Sequence, residues 1–241
     1  MAAPAPNTAS LPWSARDFDA VLVDLDGTMV DTRDDFVVAL QAMLAELPAP
    51  YCRHKPNRQE TELMVGKGSE SLVNSLLSLI DGNNGTGADT TLRSTALQRY
   101  LLHYGAANGR HAKVYEGVRQ GLDGFKAQGW VVGCVTNKPT AYARALLAIV
   151  GLADYFALVL GGDATARKKP DPMPLLVACQ TLGVTPARTL MVGDSSNDAQ
   201  AAKAAGCPVL LVTYGYNHGE DISDAGADAL TASLAELQWR A

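Results

Sequence analysis

Two aspartates one residue apart open the chemistry of this chain, in the string Asp24-Leu25-Asp26-Gly27-Thr28. Carboxylates this close repel, so one tends to keep a proton near neutrality unless a cation intervenes. The pair therefore divides labour: one is an ionised nucleophile or metal ligand, the other a general acid and base. Gly27 permits the sharp turn that lets backbone approach a ligand. Further along, Thr136-Asn137-Lys138-Pro139 sets a hydroxyl, an amide and an ammonium before a helix that Pro139 can start. The free N–H groups of such a helix start suit an anion. In Lys168-Lys169-Pro170-Asp171-Pro172 a lysine beside prolines is a fixed cation, suited to neutralising carboxylate and phosphate together. Finally, Gly193-Asp194-Ser195-Ser196-Asn197-Asp198 places two aspartates four residues apart at a helix start. Hard cations such as Mg²⁺ take carboxylate oxygens in this manner and keep waters for substrate phosphate. Singly, each string also reads as a cap, an Asx-turn or a solvated loop. Jointly they supply nucleophile, acid, cation, phosphate donors and metal ligands, the inventory of phosphoryl transfer.

These strings need a scaffold that brings them to one place, and the apolar segments provide it. Ala20 to Leu25, Trp130 to Thr136, Ala157 to Leu160, Thr189 to Val192 and Pro208 to Thr213 are short and continuously apolar. Continuous apolarity predicts strands of a parallel sheet covered on both faces. Helical stretches alternate with the later ones: Val118 to Gln128, Thr140 to Val150, Met173 to Leu182 and Asn197 to Ala205, with Gly129, Gly151, Gly183 and Gly206 just past their last turns. The alternation predicts an α/β fold with an open, doubly wound parallel (Rossmann-like) sheet, in which ligands bind beyond the carboxyl ends of the strands. All four polar strings fall there. From about Asp34 to Gly109 the strand pattern stops. Phe36, Val37, Leu40, Met43, Leu44 and Leu47 suit one amphipathic helix; Leu72, Val73, Leu76, Leu77 and Ile80 a second; Leu92, Leu97, Leu101 and Leu102 a third. The polar, Gly-rich stretch from Asp81 to Ala88 reads as a turn between helices. The domain layout follows: a disordered tail over 1–16, an α/β core over 17–33 and 110–241, and an inserted all-helical module over 34–109.

Composition narrows the function. In 241 residues, 47% are hydrophobic, enough for a sizeable core. The formal charge of -5 carries no basic surplus or stripe, so a nucleic-acid partner is not expected. No apolar run approaches the roughly eighteen residues of a spanning helix, so no membrane role is expected. The first residues lack both a basic start and an apolar stretch and do not read as a secretory signal. Cys52, Cys134, Cys179 and Cys207 are far apart without a CxxC pair, which argues against zinc or dithiol chemistry and for a reducing cytoplasm. The sequence carries no signal of oligomeric state.

The four strings, in this order, resemble those of the haloacid-dehalogenase-like superfamily of Mg²⁺-dependent phosphotransferases. The match spans roughly Ala20 to Gly219, with the helical insertion where that family's cap domain sits. The resemblance implies that Asp24 attacks the substrate phosphorus and becomes an aspartyl-phosphate, while Asp26 protonates the leaving oxygen and then activates water. It implies that Mg²⁺ is held by Asp24, the backbone carbonyl of Asp26 and Asp194, with Asp198 close behind. Thr136 and Asn137 would hold the phosphoryl group and Lys169 would balance its charge. An aspartate at position 26 argues against the dehalogenase branch, which lacks this second acid.

Val135-Thr136-Asn137-Lys138-Pro139, Val65-Gly66-Lys67-Gly68 and Thr213-Tyr214-Gly215-Tyr216-Asn217-His218-Gly219 are similar, within that superfamily, to the bacterial phosphoglycolate phosphatases. The resemblance implies a small phosphorylated metabolite as substrate, 2-phosphoglycolate first, chosen by a cap loop. Val65 to Ser69 is the candidate loop: Gly66 and Gly68 would let backbone approach the substrate, and Lys67 would meet its carboxylate. Arg33 and Arg58 are further cations available to a carboxylate. Two alternatives stay open: a phosphatase for an amino-sugar phosphate or nucleotide monophosphate, and a non-catalytic binding module on the same fold. The stretch from Leu47 to Glu62 matches no motif, and His54, His103, His111 and His218 have no metal-like spacing.

Overall fold

The computed structural model describes residues 11–82 and 89–240. The central strand β1, Ala20–Val23, is four apolar residues with no exposed surface. Parallel neighbours flank it on both sides, β4 (Val131–Val135) and β6 (Thr189–Gly193), so that Ala20 pairs with both Val131 and Thr189. β5 (Leu158–Leu160) extends one side; β7 (Val209–Val212) and β8 (Ala229–Thr231) extend the other, giving the order β5-β4-β1-β6-β7-β8. Successive side chains of a strand point to opposite faces, and both faces here are covered. Val21 and Val23 pack with Val118, Leu122 and Phe125 of helix α5 (Val118–Ala127) and Leu146 and Leu147 of α6 (Thr140–Ile149). Leu22 packs with Leu175 and Ala178 of α7 (Met173–Leu182) and Ala199 and Ala202 of α8 (Ser196–Ala205). The expected doubly wound sheet is present, and the chain reverses its direction of winding between β1 and β6, where open sheets place their ligands.

Among the described residues, four helices lie between β1 and α5: α1 (Arg33–Ala45), the short α2 (Arg58–Glu62), α3 (Ser69–Ile80) and α4 (Thr90–Ala107). They bury a core of their own, with Leu40, Met43 and Leu44 of α1 against Leu76 and Leu77 of α3. The chain enters and leaves this module through a two-stranded antiparallel ribbon, β2 (Val30–Asp31) against β3 (Lys113–Val114). Buried Asp35 ties the exit to the entry by accepting N–H bonds from Gly109 (2.7 Å) and His111 (2.8 Å).

Several expectations change. Residues 11–16, assigned to a tail, are packed: Leu11 is in the core, its N–H donates to the Gln238 carbonyl, and Trp13 and Trp239 both pack edge-on against Phe18. The rest of that tail, and 83–88 of the linker expected between helices, lie outside the described residues. The edge strand β8 was not foreseen, because it is three half-exposed residues with no apolar run. The fully buried face of α4 is Ala96, Tyr100, Tyr104 and Ala107; of the expected leucines, Leu92, Leu97 and Leu101 pack half-buried against the same core and Leu102 points outward at 63% exposure. Aromatic rings with polar tips give a weaker apolar signal than leucine, so the tyrosines at the centre of this face were not foreseen.

Candidate active site

Asp24 and Asp26 lie just past the end of β1 and line one cavity with Thr136, Asn137 and Lys138 from the core and Phe36, Val65, Gly66, Gly68, Ser69, Leu72, Tyr100 and Tyr104 from the helical module. Two ion-pair networks organise it.

The first lies at the winding reversal. Asp24, Asp194 and Asp198 each offer a carboxylate oxygen within 4.8 Å of the others. Lys169 Nζ sits 2.9 Å from Asp24 Oδ1 and 2.7 Å from Asp198 Oδ1, and also donates to the Val135 carbonyl (2.8 Å). Burial alone would lower the Lys169 pKa, but Asp198 and Asp24 outweigh it and hold the ammonium above its ordinary value. Burial pushes the Asp24 carboxyl up to about 6; Lys169 opposes that rise, and the Asp198 charge adds to it. Burial, with Asp198 and Asp24 beside it, raises Asp194 as well. One lysine is therefore too little charge for three carboxylates. Asp24 Oδ1 receives no well-directed hydrogen bond despite its burial. These two observations fit a hard divalent cation, which takes all-oxygen ligands and lowers such pKa values.

Asp194 is the most firmly placed of the three. Its Oδ1 accepts from the Thr28 hydroxyl (2.8 Å) and its Oδ2 from the Tyr216 N–H (2.6 Å). Gly27, at φ +87°, and Gly215 both press against its carboxylate, where any Cβ would collide with it. Asp198 is the most saturated. Its Oδ2 accepts from the Asp194 and Ser195 N–H groups and the Ser195 hydroxyl in a capping box, and its Oδ1 from Lys169. Its observed work is to hold the loop and Lys169, which leaves Asp24 and Asp194 as the freer ligands.

The second network belongs to Asp26, which is not part of that carboxylate trio. Its Oδ1 accepts from Thr32 Oγ1 (2.7 Å), and Lys138 Nζ donates to both oxygens, at 2.7 and 2.9 Å. Its side chain is thus committed to Thr32 and Lys138, apart from the trio. The buried Lys138 ammonium lies beside two rings of the helical module, 4.9 Å from the Phe36 centroid and 4.8 Å from that of Tyr104. Phe36 and Tyr104 are themselves stacked, with centroids 5.3 Å apart. The sequence showed Lys138 as one ammonium in a helix-start string; that helical-module aromatics would enclose it had no local signal.

The remaining expected residues divide. Thr136 lines the cavity, and its Oγ1 accepts the Lys138 N–H while its own proton stays available to a ligand. Asn137 also lines it, but its side chain is committed: Nδ2 donates to the carbonyls of Gly66 (2.9 Å) and Lys169 (2.8 Å), and Oδ1 accepts the Lys169 N–H. It clasps the Val65 to Ser69 loop to the core, assisted by Asn197, which donates to Gly66 (3.4 Å) and meets His218 Nε2 (3.1 Å). Gly66 and Gly68 line the cavity. Lys67 does not: it is exposed and lines an outer hollow with Lys168, Gln200 and Glu220. Arg33 and Arg58 are also turned elsewhere. Arg33 forks onto Asp31 and reaches Glu62 (2.8 Å), Arg58 pairs with Asp31 and Asp34, and the Tyr216 hydroxyl donates to Asp31. This cluster braces the entry ribbon, outside the cavity.

Comparison with known proteins agrees with this geometry. Residues 21–212 match the family model described as haloacid dehalogenase-like hydrolase. The chain is 43% identical over 217 residues to a phosphoglycolate phosphatase of Thiobacillus denitrificans, covering 90% of this chain and 92% of that one. It is 34% identical over 234 residues to a phosphoglycolate phosphatase of Escherichia coli, covering 92% and 91%. Among solved structures, that of a predicted phosphoglycolate phosphatase from Haemophilus somnus superposes with a TM-score of 0.82 at 28% identity, covering 91% of this chain and 96% of the other.

Proposed function

The chain belongs to the haloacid dehalogenase-like hydrolase family, and on that premise we propose that it is a Mg²⁺-dependent phosphatase converting 2-phosphoglycolate to glycolate and phosphate through an aspartyl-phosphate on Asp24. The observation that carries this reading is the crowding of Asp24, Asp194 and Asp198 within 4.8 Å around a single buried ammonium. Such a site has the negative charge to hold a cation and the positive charge to receive a phosphoryl group. The substrate follows from likeness to relatives bearing that name, and a cavity of modest, mostly apolar lining suits a small leaving group.

In the first step a carboxylate oxygen of Asp24 attacks phosphorus and the glycolate oxygen departs, taking a proton from Asp26. In the second, Asp26 takes a proton from water, the water oxygen attacks phosphorus, and the Asp24 carboxylate is released with inorganic phosphate. The covalent residue thus splits one hard displacement into two easier ones. Lys169 contributes fixed positive charge beside the transferring group, and Thr136 an O–H donor to its oxygens. Asp24, Asp194 and the Asp26 backbone carbonyl are the groups that would hold Mg²⁺, which supplies charge neutralisation for the phosphoryl oxygens when bound. The helical module acts as the cap over this chemistry. Four unpaired cysteines support the reducing cytoplasm as its compartment.

Phosphate release from 2-phosphoglycolate, beside a panel of sugar phosphates and nucleotide monophosphates, with Mg²⁺ and with EDTA, tests the proposal. The expected result is a Mg²⁺-dependent preference for phosphoglycolate of about tenfold or more in kcat/KM. A preference for another ester removes the substrate and leaves the mechanism; no release from any ester removes both.

A further inference from the structure

The phosphatase reading leaves open what recognises the substrate's second negative charge. A small phosphorylated acid brings a carboxylate into a cavity that already holds Asp24 and Asp26, so its binding requires a cation facing the same space. Among the described residues lining the cavity, Lys138 is the sole cation. Lys67 and Lys168 line the outer hollow, Lys169 is enclosed by Asp24, Asp198 and the Val135 carbonyl, and Arg33 and Arg58 are held by Asp31, Glu62 and Asp34.

Resting on that reading, we propose that Lys138 is the specificity-determining residue that binds the carboxylate of the leaving group. An ammonium has three N–H donors. Asp26 accounts for two of them in the contacts observed, and the flanking Phe36 and Tyr104 rings offer faces and no strong acceptor. Donor capacity therefore remains for an incoming carboxylate. Lys138 is buried, with the two rings covering one side of its ammonium, and low exposure to water strengthens a charge-assisted hydrogen bond. The contact with Asp26 also sets the length of the substrate. Asp26 stands where the leaving oxygen must be protonated, and Lys138 stands one hydrogen bond away, at 2.7 Å. A carboxylate held by Lys138 consequently lies close to the ester oxygen, as in an ester of a 2-hydroxy acid with a single carbon between them. A longer acid would carry its charge past this lysine. The ammonium reaches both the acid and the cap rings, so the same contact registers substrate, cap and Asp26 together.

A binding comparison tests the assignment without turnover. 3-Phosphonopropionate, a non-hydrolysable analogue with the carboxylate, and propylphosphonate, which lacks it, are titrated calorimetrically with Mg²⁺ into wild type, Lys138→Met, Lys138→Arg and Lys67→Met. Wild type is expected to favour the carboxylate analogue about 10- to 100-fold, the ratio a charge-assisted hydrogen bond supports. Lys138→Met brings the two affinities together, Lys138→Arg restores part of the preference, and Lys67→Met retains it; thermal unfolding of each variant establishes that it is folded. A preference that survives in Lys138→Met, one that vanishes in Lys67→Met, or none in wild type overturns the proposal. Should Lys138→Met fail to fold, Lys138→Arg and Lys138→Gln give the same comparison. Equal affinity of wild type for the two analogues, with its phosphoglycolate hydrolysis intact, removes this inference alone. Normal analogue discrimination with no phosphate release removes the phosphatase reading alone.

Discussion

Lys169 and Lys138 are both buried, and both pair with aspartates of the same short turn, yet their settings are opposite. Lys169 is held wholly by the core: two carboxylates and one carbonyl surround it, all anchored at the ends of adjacent sheet strands. Lys138 stands on the core but is walled by Phe36 and Tyr104 from the helical module. The first setting fixes a charge against parts that cannot move relative to one another. The second makes a charge contact depend on where the cap lies. On the proposed mechanism, the phosphoryl group meets the sheet ends, and the leaving group meets a surface shared between two separately packed units. A site divided this way can change substrate by changing the cap while the sheet ends stay as they are.

The largest effect that this contrast predicts is at the nucleophile. Asp24→Asn keeps the shape and removes the attacking charge, so phosphate release is expected to fall by roughly 10⁴-fold or more with the circular dichroism spectrum unchanged. Retained activity would mean that the sheet-end carboxylates do not carry the reaction. Next, Lys169→Met strands two buried carboxylates and is expected to cost about 3–5 kcal/mol in denaturant unfolding. Lys138→Met strands Asp26, which keeps Thr32 and some water, and is expected to cost less, about 1–3 kcal/mol. An equal or larger loss at Lys138 would break the distinction between a core-fixed and a cap-shared lysine. Asp35→Ala tests the ribbon that joins the units: it leaves the Gly109 and His111 N–H groups without their acceptor, for about 1–3 kcal/mol. Its effect on KM is expected to exceed that on kcat, since it loosens the cap and touches no reacting group. The smallest effect is expected at Leu102→Ser on the outer face of α4, within about 0.5 kcal/mol of wild type. A larger loss there would place Leu102 in the module's core instead of on its outer face.

What could be read from the sequence follows the same division. Ala20 to Val23 and the other buried strands announce themselves because a parallel sheet covered on both faces demands uninterrupted apolar runs. Asp24, Lys169, Asp194 and Asp198 could be read because each follows such a run and the sheet order then collects them. The cap side offered less. Lys67 was a reasonable candidate by loop and charge, but which way a loop lysine points is decided by tertiary packing, here the clasp of Asn137 and Asn197 on Gly66. Lys138 was visible as a residue; its role was not, because the rings beside it lie 102 residues earlier, at Phe36, and 34 earlier, at Tyr104. Arg33 and Arg58 drew notice as cations, and the acidic partners that absorb them are scattered through Asp31, Asp34 and Glu62.

The proposed mechanism makes Asp24 the residue that carries the phosphoryl group, and rapid acid quenching tests this directly. Wild type mixed with 2-phosphoglycolate and Mg²⁺, quenched during turnover and digested, is examined by mass spectrometry for a peptide heavier by one phosphoryl group. The adduct is expected on the peptide containing Asp24, labile to hydroxylamine as an acyl phosphate is, and absent from Asp24→Asn. Label on another residue, or undiminished label in Asp24→Asn, would contradict the account.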